Sequence, residues 1–225
     1  MEFERKEPKV PKSVQEKELS KRVVIVLDDA TLETAKIGGE YQLLNSEDHK
    51  TFLSKNKKDP AEYRPDITHQ CLLTLLDSPL NKAGLLQVYI RTRKNVLIEV
   101  SPKCRIPRTF SRFAGLMVQL LHKLKIRATN GPDTLLQIIR NPVESHFPAN
   151  CRKFELDERG RLVSAGEFAK QVADGPIVFV VGAFANGTIR GEFCEEKIAI
   201  SSYALSASGA CGKLCDAFET KWDIL

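Results

Sequence analysis

Two unbroken apolar runs constrain this 225-residue chain more than any other feature: Val23 to Leu27 (VVIVL), which ends in Asp28-Asp29, and Ile177 to Val181 (IVFVV), which ends in Gly182. Neither alternates apolar with polar residues. Short, β-branched runs of this kind fit strands covered on both faces, as in the middle of a largely parallel sheet. Leu86–Ile90, Val96–Val100, Leu135–Ile139 and Ile198–Ile200 add further strand-like segments. The first two of these flank the basic turn RTRKN and read as a hairpin, or as two strands beside a basic rim. Helical spacing appears between them. One segment opens at Thr68 as a candidate N-cap, runs to Leu76 and is stopped by Pro79; another spans Thr109 to Leu124 behind Pro107; a third closes the chain from Ser206 to Trp222. Strands alternating with helices predict an α/β fold.

The remaining segments set the domain limits. Residues 1–21 are charged, contain proline and are poor in large apolar residues, and they read as a flexible tail. Residues 22–225 read as a single domain. Within it, 28–63 is expected to be an insertion, with 33–62 a polar excursion holding one short helix. A hydrophobic content of 42% supports a sizeable core. No apolar stretch reaches about 18 residues, and the N-terminus has no apolar signal region, so neither a membrane span nor a secretory signal is expected.

Charge is unevenly placed. Ten basic residues and one acidic residue lie between Arg91 and Arg127, a net +9 that leaves −4 for the rest of a chain whose total is +5. Such concentration predicts a polyanion-binding face, against the alternative of ordinary salt-bridged or solvated side chains. Within it, Arg105, Arg108 and Arg112 cluster around a helix start, where cations oppose the helix dipole; phosphates are one reason to keep them there. Phe110 adds a ring that could stack on a base. Arg64-Pro65-Asp66 precedes the helix expected from Thr68. Asp66 is either a helix N-terminal carboxylate or a group beside a substrate.

The six cysteines include no C-x-x-C pair. Cys211 and Cys215 lie one helical turn apart with no flanking histidine, so they read as buried thiols rather than a metal site. His69, His122 and His146 show no triad or metal-ligand spacing, and His122 reads as structural. Neither G-x-G-x-x-G nor a P-loop is present. The loops expected at the carboxyl ends of strands are 140–156 (RNPVESHFPANCRKFEL), 182–189 (GAFANGTI) and 201–212 (SSYALSASGACG). The last two are rich in Gly, Ala and Ser, which lets a flat ligand approach the backbone.

These loops, together with DSPLNKAGLLQVYI (77–90), VLIEVSPKCRIPRTFSRFAGLMVQLLHKL (96–124), IVFVVGAFANG (177–187) and ISSYALSA (200–207), resemble the pseudouridine N1-specific methyltransferases of small-subunit ribosome biogenesis, members of the SPOUT superfamily. The resemblance runs from about Val23 to the C-terminus. It implies a mostly parallel SPOUT sheet with helices on both faces, a C-terminal trefoil knot and a homodimer. It further implies S-adenosyl-L-methionine as cofactor, S-adenosyl-L-homocysteine as product and small-subunit ribosomal RNA as substrate. Ribosome assembly factors as partners and a nuclear, nucleolar location follow from it as well. Carried over position by position, cofactor contacts fall on Leu156, Gly182, Gly187, Thr188, Ile189, Ile200, Ser201, Ser202, Tyr203, Ala204 and Leu205. RNA contacts fall on Arg64, Asp66, Arg105, Arg108 and Arg112, with Asp66 and Arg64 in catalytic roles and no metal. Family members commonly carry Asn-Tyr-Pro where this chain has Ser202-Tyr203-Ala204, which would loosen that loop. The alternative function is an RNA-binding assembly factor whose essential role needs no methylation.

Overall fold

A computed structural model describes residues 21–129 and 131–225. The expected tail lies outside the described residues except for Lys21. The strands are β1 (Arg22–Ala30), β2 (Thr34–Ile37), β3 (Glu40–Leu43), β4 (Leu86–Thr92), β5 (Leu97–Val100), β6 (Lys125–Arg127), β7 (Thr134–Ile139), β8 (Arg152–Leu162), β9 (Pro176–Gly182) and β10 (Glu196–Ala199). The helices are α1 (Lys50–Lys55), α2 (Pro65–Asp77), α3 (Pro79–Lys82), α4 (Phe110–Lys123), α5 (Ala165–Gln171) and α6 (Ala207–Trp222), with 3-10 turns at Pro60–Glu62 and Val143–His146. Eight strands form one sheet in the order β10-β8-β9-β1-β4-β5-β7-β6, and β2 and β3 form a separate hairpin.

The two apolar runs, in β1 and β9, lie side by side at the centre. Ile25 sits opposite Phe179 on one side and Val88 on the other, all in parallel register. From β10 to β4 the sheet is parallel; β5, β7 and β6 add an antiparallel margin. The basic turn is therefore the tip of a true hairpin, with Ile90 paired to Ile98.

The two faces of the sheet are covered differently. Val23, Ile25 and Leu27 point into one core, which they share with residues of α2, α3, α4, α5 and α6. Val24, Val26, Val178 and Val180 point the other way and pack with Val143, Cys151, Phe147, Ile189 and Phe193. That second face is closed by the 3-10 turn and by irregular segments, so the expectation of helices on both faces is corrected. The β7–β8 connection crosses beneath the sheet here rather than lining its carboxyl edge. On the helical face, rings form a continuous stack: Phe154 to Phe179 at 5.9 Å, Phe179 to Phe218 at 5.8 Å and Phe218 to Trp222 at 5.1 Å between centroids. It fastens α6 to β8 and β9.

Other boundaries shift for local reasons. The helix expected from Thr68 starts one turn earlier, because Pro65 suits a first helical position; Arg64 is the N-cap and Thr68 is buried inside the helix. Asp66 is accordingly a first-turn carboxylate and not a cap. Pro79 ends α2 by opening α3, where Ser78 Oγ accepts the Asn81 N–H at 3.1 Å. The polar excursion contains the β2–β3 hairpin as well as its short helix, and it begins only after Ala30, because β1 runs through Asp28 and Asp29.

Phe179 is fully buried at the centre of the ring stack. Phe179→Ala is expected to lower the unfolding free energy by about 3–5 kcal/mol in urea titration. A loss below about 1 kcal/mol would mean that the stack does not hold α6 on the sheet.

Candidate active site

A fully buried carboxylate sits near the carboxyl end of the central strand. Asp28, fully buried at the last turn of β1, accepts from Arg91 Nε at 2.7 Å, from Arg190 Nη2 at 3.1 Å and from the Arg190 backbone N–H at 2.7 Å. Its carbonyl accepts the Ala183 N–H at 2.7 Å. Arg91 also donates to the Arg190 carbonyl. Both ends of the 183–190 loop are thus pinned to β1. Next to it, Asp29 (φ 54°) holds Arg93 at 2.8 Å, and Arg93 reaches Glu62 at 2.7 Å. This latch ties the excursion to the sheet end.

Above this platform, at the carboxyl ends of β9, β8 and β10, lies a cleft of about 610 Å³. That size falls within the range of small-molecule sites. Gly182, Gly187, Thr188 and Ile189 line it from the loop after β9; Ile200, Ser201, Tyr203 and Leu205 line it from the loop after β10. Ser202 and Ala204 belong to that second loop but do not line the cleft. A Cβ at Gly182 would lie 2.7 Å from the Phe184 ring, so any side chain there would displace that ring. Within that loop Ser201 Oγ accepts the Tyr203 N–H at 3.0 Å and closes a turn.

Leu156 lines the cleft, though not from the loop after β7. Between Glu155 and Arg161 the ladder with β10 skips from Lys197 to Ile198, so residues 156–160 bulge out of β8 into the cleft. Gly160 permits the bulge: a Cβ there would sit 2.6 Å from the Ile198 nitrogen. The bulge carries Asp157, which accepts from the Arg159 backbone N–H at 2.9 Å and from its Nη2 at 2.9 Å. Arg159 holds the Asp157 carboxyl down to about 2. Nothing in the sequence pattern flagged Asp157; the signal was Gly160 in D-E-R-G-R, a turn inside an unpatterned stretch.

Helix α2 forms the fourth wall. Arg64, Ile67 and Gln70, spaced one turn apart, line the cleft. Asp66 does not. It grips Arg64 through two bonds, Nε to Oδ1 at 2.8 Å and Nη2 to Oδ2 at 2.7 Å, and so raises the guanidinium further above its ordinary value. One turn on, buried His69 pairs through Nε2 with the Pro107 carbonyl at 2.7 Å and stacks on Phe113 at 4.5 Å. Sequence spacing had given His69 no role. It fastens the Arg105–Arg112 turn to the helix that borders the cleft.

The basic stretch divides in two. Arg91, Arg93, Lys94 and Lys103 are paired with Asp28, Asp29, Glu33 and Asp133. For these four the salt-bridge alternative is correct. Arg105 and Arg112 are exposed, with no ion pair among the described residues. Among the described residues Arg108 meets only Asp77, at 3.7 Å, with both side chains mostly in solvent. The α4 N-cap, Thr109, makes no side-chain capping bond, so the first N–H groups of α4 keep their capacity for an anion. Cys211 is buried in α6, and the hydrogen bond from Cys71 followed by burial pushes its thiol up. His122, read as structural within an apolar helix, is exposed and meets the Tyr41 ring at 4.3 Å.

This arrangement defines an α/β protein built to hold a small molecule at the carboxyl ends of its parallel strands, one helix away from a cationic turn. Residues 25–219 match the EMG1/NEP1 methyltransferase family, and the chain belongs to it. It is 56% identical over 205 residues to the human protein named ribosomal RNA small subunit methyltransferase NEP1, covering 91% of this chain and 84% of that one. It is 36% identical over 170 residues to the Thermococcus sibiricus protein of the corresponding name, covering 73% and 75%. The crystal structure of Archaeoglobus fulgidus Nep1 bound to S-adenosylhomocysteine superimposes with a TM-score of 0.68 at 22% identity, covering 90% of this chain and 99% of that one. The mostly parallel mixed sheet is thus the SPOUT-type fold expected from the sequence.

Because the folded Asp157 carboxyl titrates low, its ion pair stabilises the bulge above the unfolded carboxylate range and is lost as pH falls toward about 2. Carbon-detected NMR titration should find that midpoint, and Arg159→Gln should raise it toward the ordinary carboxylate range. An unchanged midpoint in the variant would remove Arg159 as the cause.

Proposed function

We propose that this chain transfers a methyl group from S-adenosyl-L-methionine to N1 of a pseudouridine in small-subunit ribosomal RNA. The observation that carries the reading is the juxtaposition of a backbone-lined cleft and an exposed arginine turn on the two sides of one helix, α2. The residues fit the cofactor. Leu156, Ile189, Ile200 and Leu205 offer apolar surface for adenine. The loops around Gly187 and Ser201 offer backbone groups. Asp157, ionised at neutral pH, offers an acceptor for hydroxyl or ammonium groups. The bound cofactor supplies an activated sulfonium methyl, so the protein's task is placement and proton removal.

Arg105, Arg108 and Arg112 bind phosphates and position the flipped nucleotide. Arg64 reaches the cleft and stabilises the negative charge that spreads over the base as its N1 proton leaves. Asp66 acts chiefly by orienting Arg64, and it stays solvent-accessible enough to take part in accepting the proton. The names of the relatives and the shared family support ribosomal RNA as substrate over the assembly-only alternative. The family resemblance also supports a homodimer, a knotted C-terminal segment, assembly-factor partners and a nucleolar location as parts of the same proposal.

Calorimetry with S-adenosyl-L-methionine and a fluorescent RNA titration test the two-sided site. Arg108→Ala should weaken RNA binding and lower the salt slope by about 0.7–0.9 while cofactor affinity stays within twofold. Parallel loss of both affinities would contradict separate surfaces. Asp66→Asn should leave RNA affinity intact and slow transfer at least tenfold; full activity would exclude Asp66 from the chemistry.

A further inference from the structure

Helix α2 faces two ways at one height. His69 pairs through Nε2 with the Pro107 carbonyl at 2.7 Å and so holds the arginine turn. The next residue, Gln70, stands about 100° further around the helix, is exposed and lines the cleft. From Pro107 the turn runs on along α2, since Arg108 meets Asp77 at the last residue of that helix. A nucleotide whose phosphates lie on the turn therefore enters the cleft over the body of α2, and its base comes to rest against the cleft side of the helix. Three side chains of α2 line that side, Arg64, Ile67 and Gln70. Arg64 donates two bonds to Asp66, which fix the direction of its guanidinium. Ile67 is half-buried and packs against the helical-face core. Gln70 carries an amide with no hydrogen bond among the described residues. Polar groups elsewhere on the cleft wall are already committed: Ser201 Oγ accepts the Tyr203 N–H, Ser206 Oγ accepts the Gly209 N–H, and Asp157 holds Arg159.

A primary amide offers one acceptor oxygen and two N–H donors side by side. The edge of a uracil-type ring opposite N1 offers the complement, the N3–H donor next to the C4 carbonyl. Enzymes that act on a flipped base read it by hydrogen bonds to such an edge. We propose that Gln70 is a specificity-determining residue, which reads the target base through a two-bond pair. Its Oε1 accepts the N3–H, and its Nε2 donates to the C4 carbonyl. That pairing leaves N1 free to face the methyl donor and leaves the C2 carbonyl for Arg64, with Ile67 as the apolar contact between the two polar residues. Gln70 takes no proton and carries no charge; it sets which edge of the base points inward. This rests on the reading of the chain as a pseudouridine methyltransferase and extends it from the reacting nitrogen to the opposite edge of the ring.

The test uses the full chain and two short RNAs that differ only at the target, pseudouridine in one and 3-methylpseudouridine in the other. The methyl on N3 removes that donor and leaves N1–H in place. The wild type should transfer to the 3-methyl RNA at least about 100-fold more slowly in kcat/KM, because the Gln70 oxygen is then left unpaired. Gln70→Ala should lose about tenfold on the pseudouridine RNA and should discriminate between the two RNAs by less than about threefold, because the group that reads N3 is gone. Gln70→Glu keeps the acceptor for N3–H and loses the donor to C4, so it should transfer more slowly than the wild type yet keep the preference for pseudouridine. Cofactor affinity, by calorimetry, should stay within about twofold in both variants. Equal transfer to the two RNAs by the wild type would overturn the proposal, and so would undiminished discrimination in Gln70→Ala. A tenfold loss of cofactor affinity in Gln70→Ala would overturn it as well and place the amide on the methyl donor. Failure of the wild type to methylate the pseudouridine RNA while the cofactor binds would instead overturn the methyltransferase reading itself.

Discussion

The site depends on one desolvated carboxylate. Asp28 lies near the end of the central strand, is buried completely, and faces two guanidiniums and a backbone N–H. Burying that group uncompensated would cost several kcal/mol, and removing it would strand Arg91 in the interior. The consequence is geometric. The loop after β9 cannot drift, because Ala183 and Arg190 at its two ends are both bonded to the same residue. The cleft has a fixed floor, and Gly187, Thr188 and Ile189 are presented above it by a backbone that the sheet holds in place. Preorganisation of this kind lowers the ordering cost of ligand binding.

The second organising element is α2, a rigid partition. Its residues at positions 64, 67 and 70 face the cleft, while His69 ties it to the turn at Pro107. A methyl acceptor held by the arginine turn and a methyl donor held in the cleft would therefore be fixed to one helix. The Arg64–Asp66 pair stands at its start. First-turn placement suits Asp66 electrostatically, since the helix N-terminus favours a carboxylate, and the bidentate contact holds the guanidinium in one orientation.

Much of this was legible in the sequence. The central strands announced themselves, because a residue buried on both faces leaves no room for polar alternation. Helix α4 was legible from its periodicity, and α6 as a closing helix from Ser206 to Trp222, with Ser206 proving to be its N-cap. The glycine- and serine-rich loops after β9 and β10 were legible only as candidates, because small residues after strands serve plain turns as readily as a ligand. The rest was hidden for physical reasons. Strand β8 reads R-K-F-E-L-D-E-R-G-R-L, with charges that pair across the sheet edge, Lys197 with Glu155 and Arg161 with Glu196, so it lacks an apolar pattern. The counting of basic residues could not separate Arg91, whose partner lies 63 positions away, from Arg105, which has none among the described residues. Only the tertiary fold decides which cations remain for a ligand.

The central claim is that the cleft and the arginine turn act together on a base whose N1 carries a proton. Incubation with methyl-labelled S-adenosyl-L-methionine and two short RNAs, identical except for pseudouridine or uridine at the target position, tests it most directly. Stoichiometric label on the pseudouridine RNA alone is the predicted result, because only that base presents a free N1. Equal labelling of both RNAs, or of neither while the cofactor binds, would contradict the account.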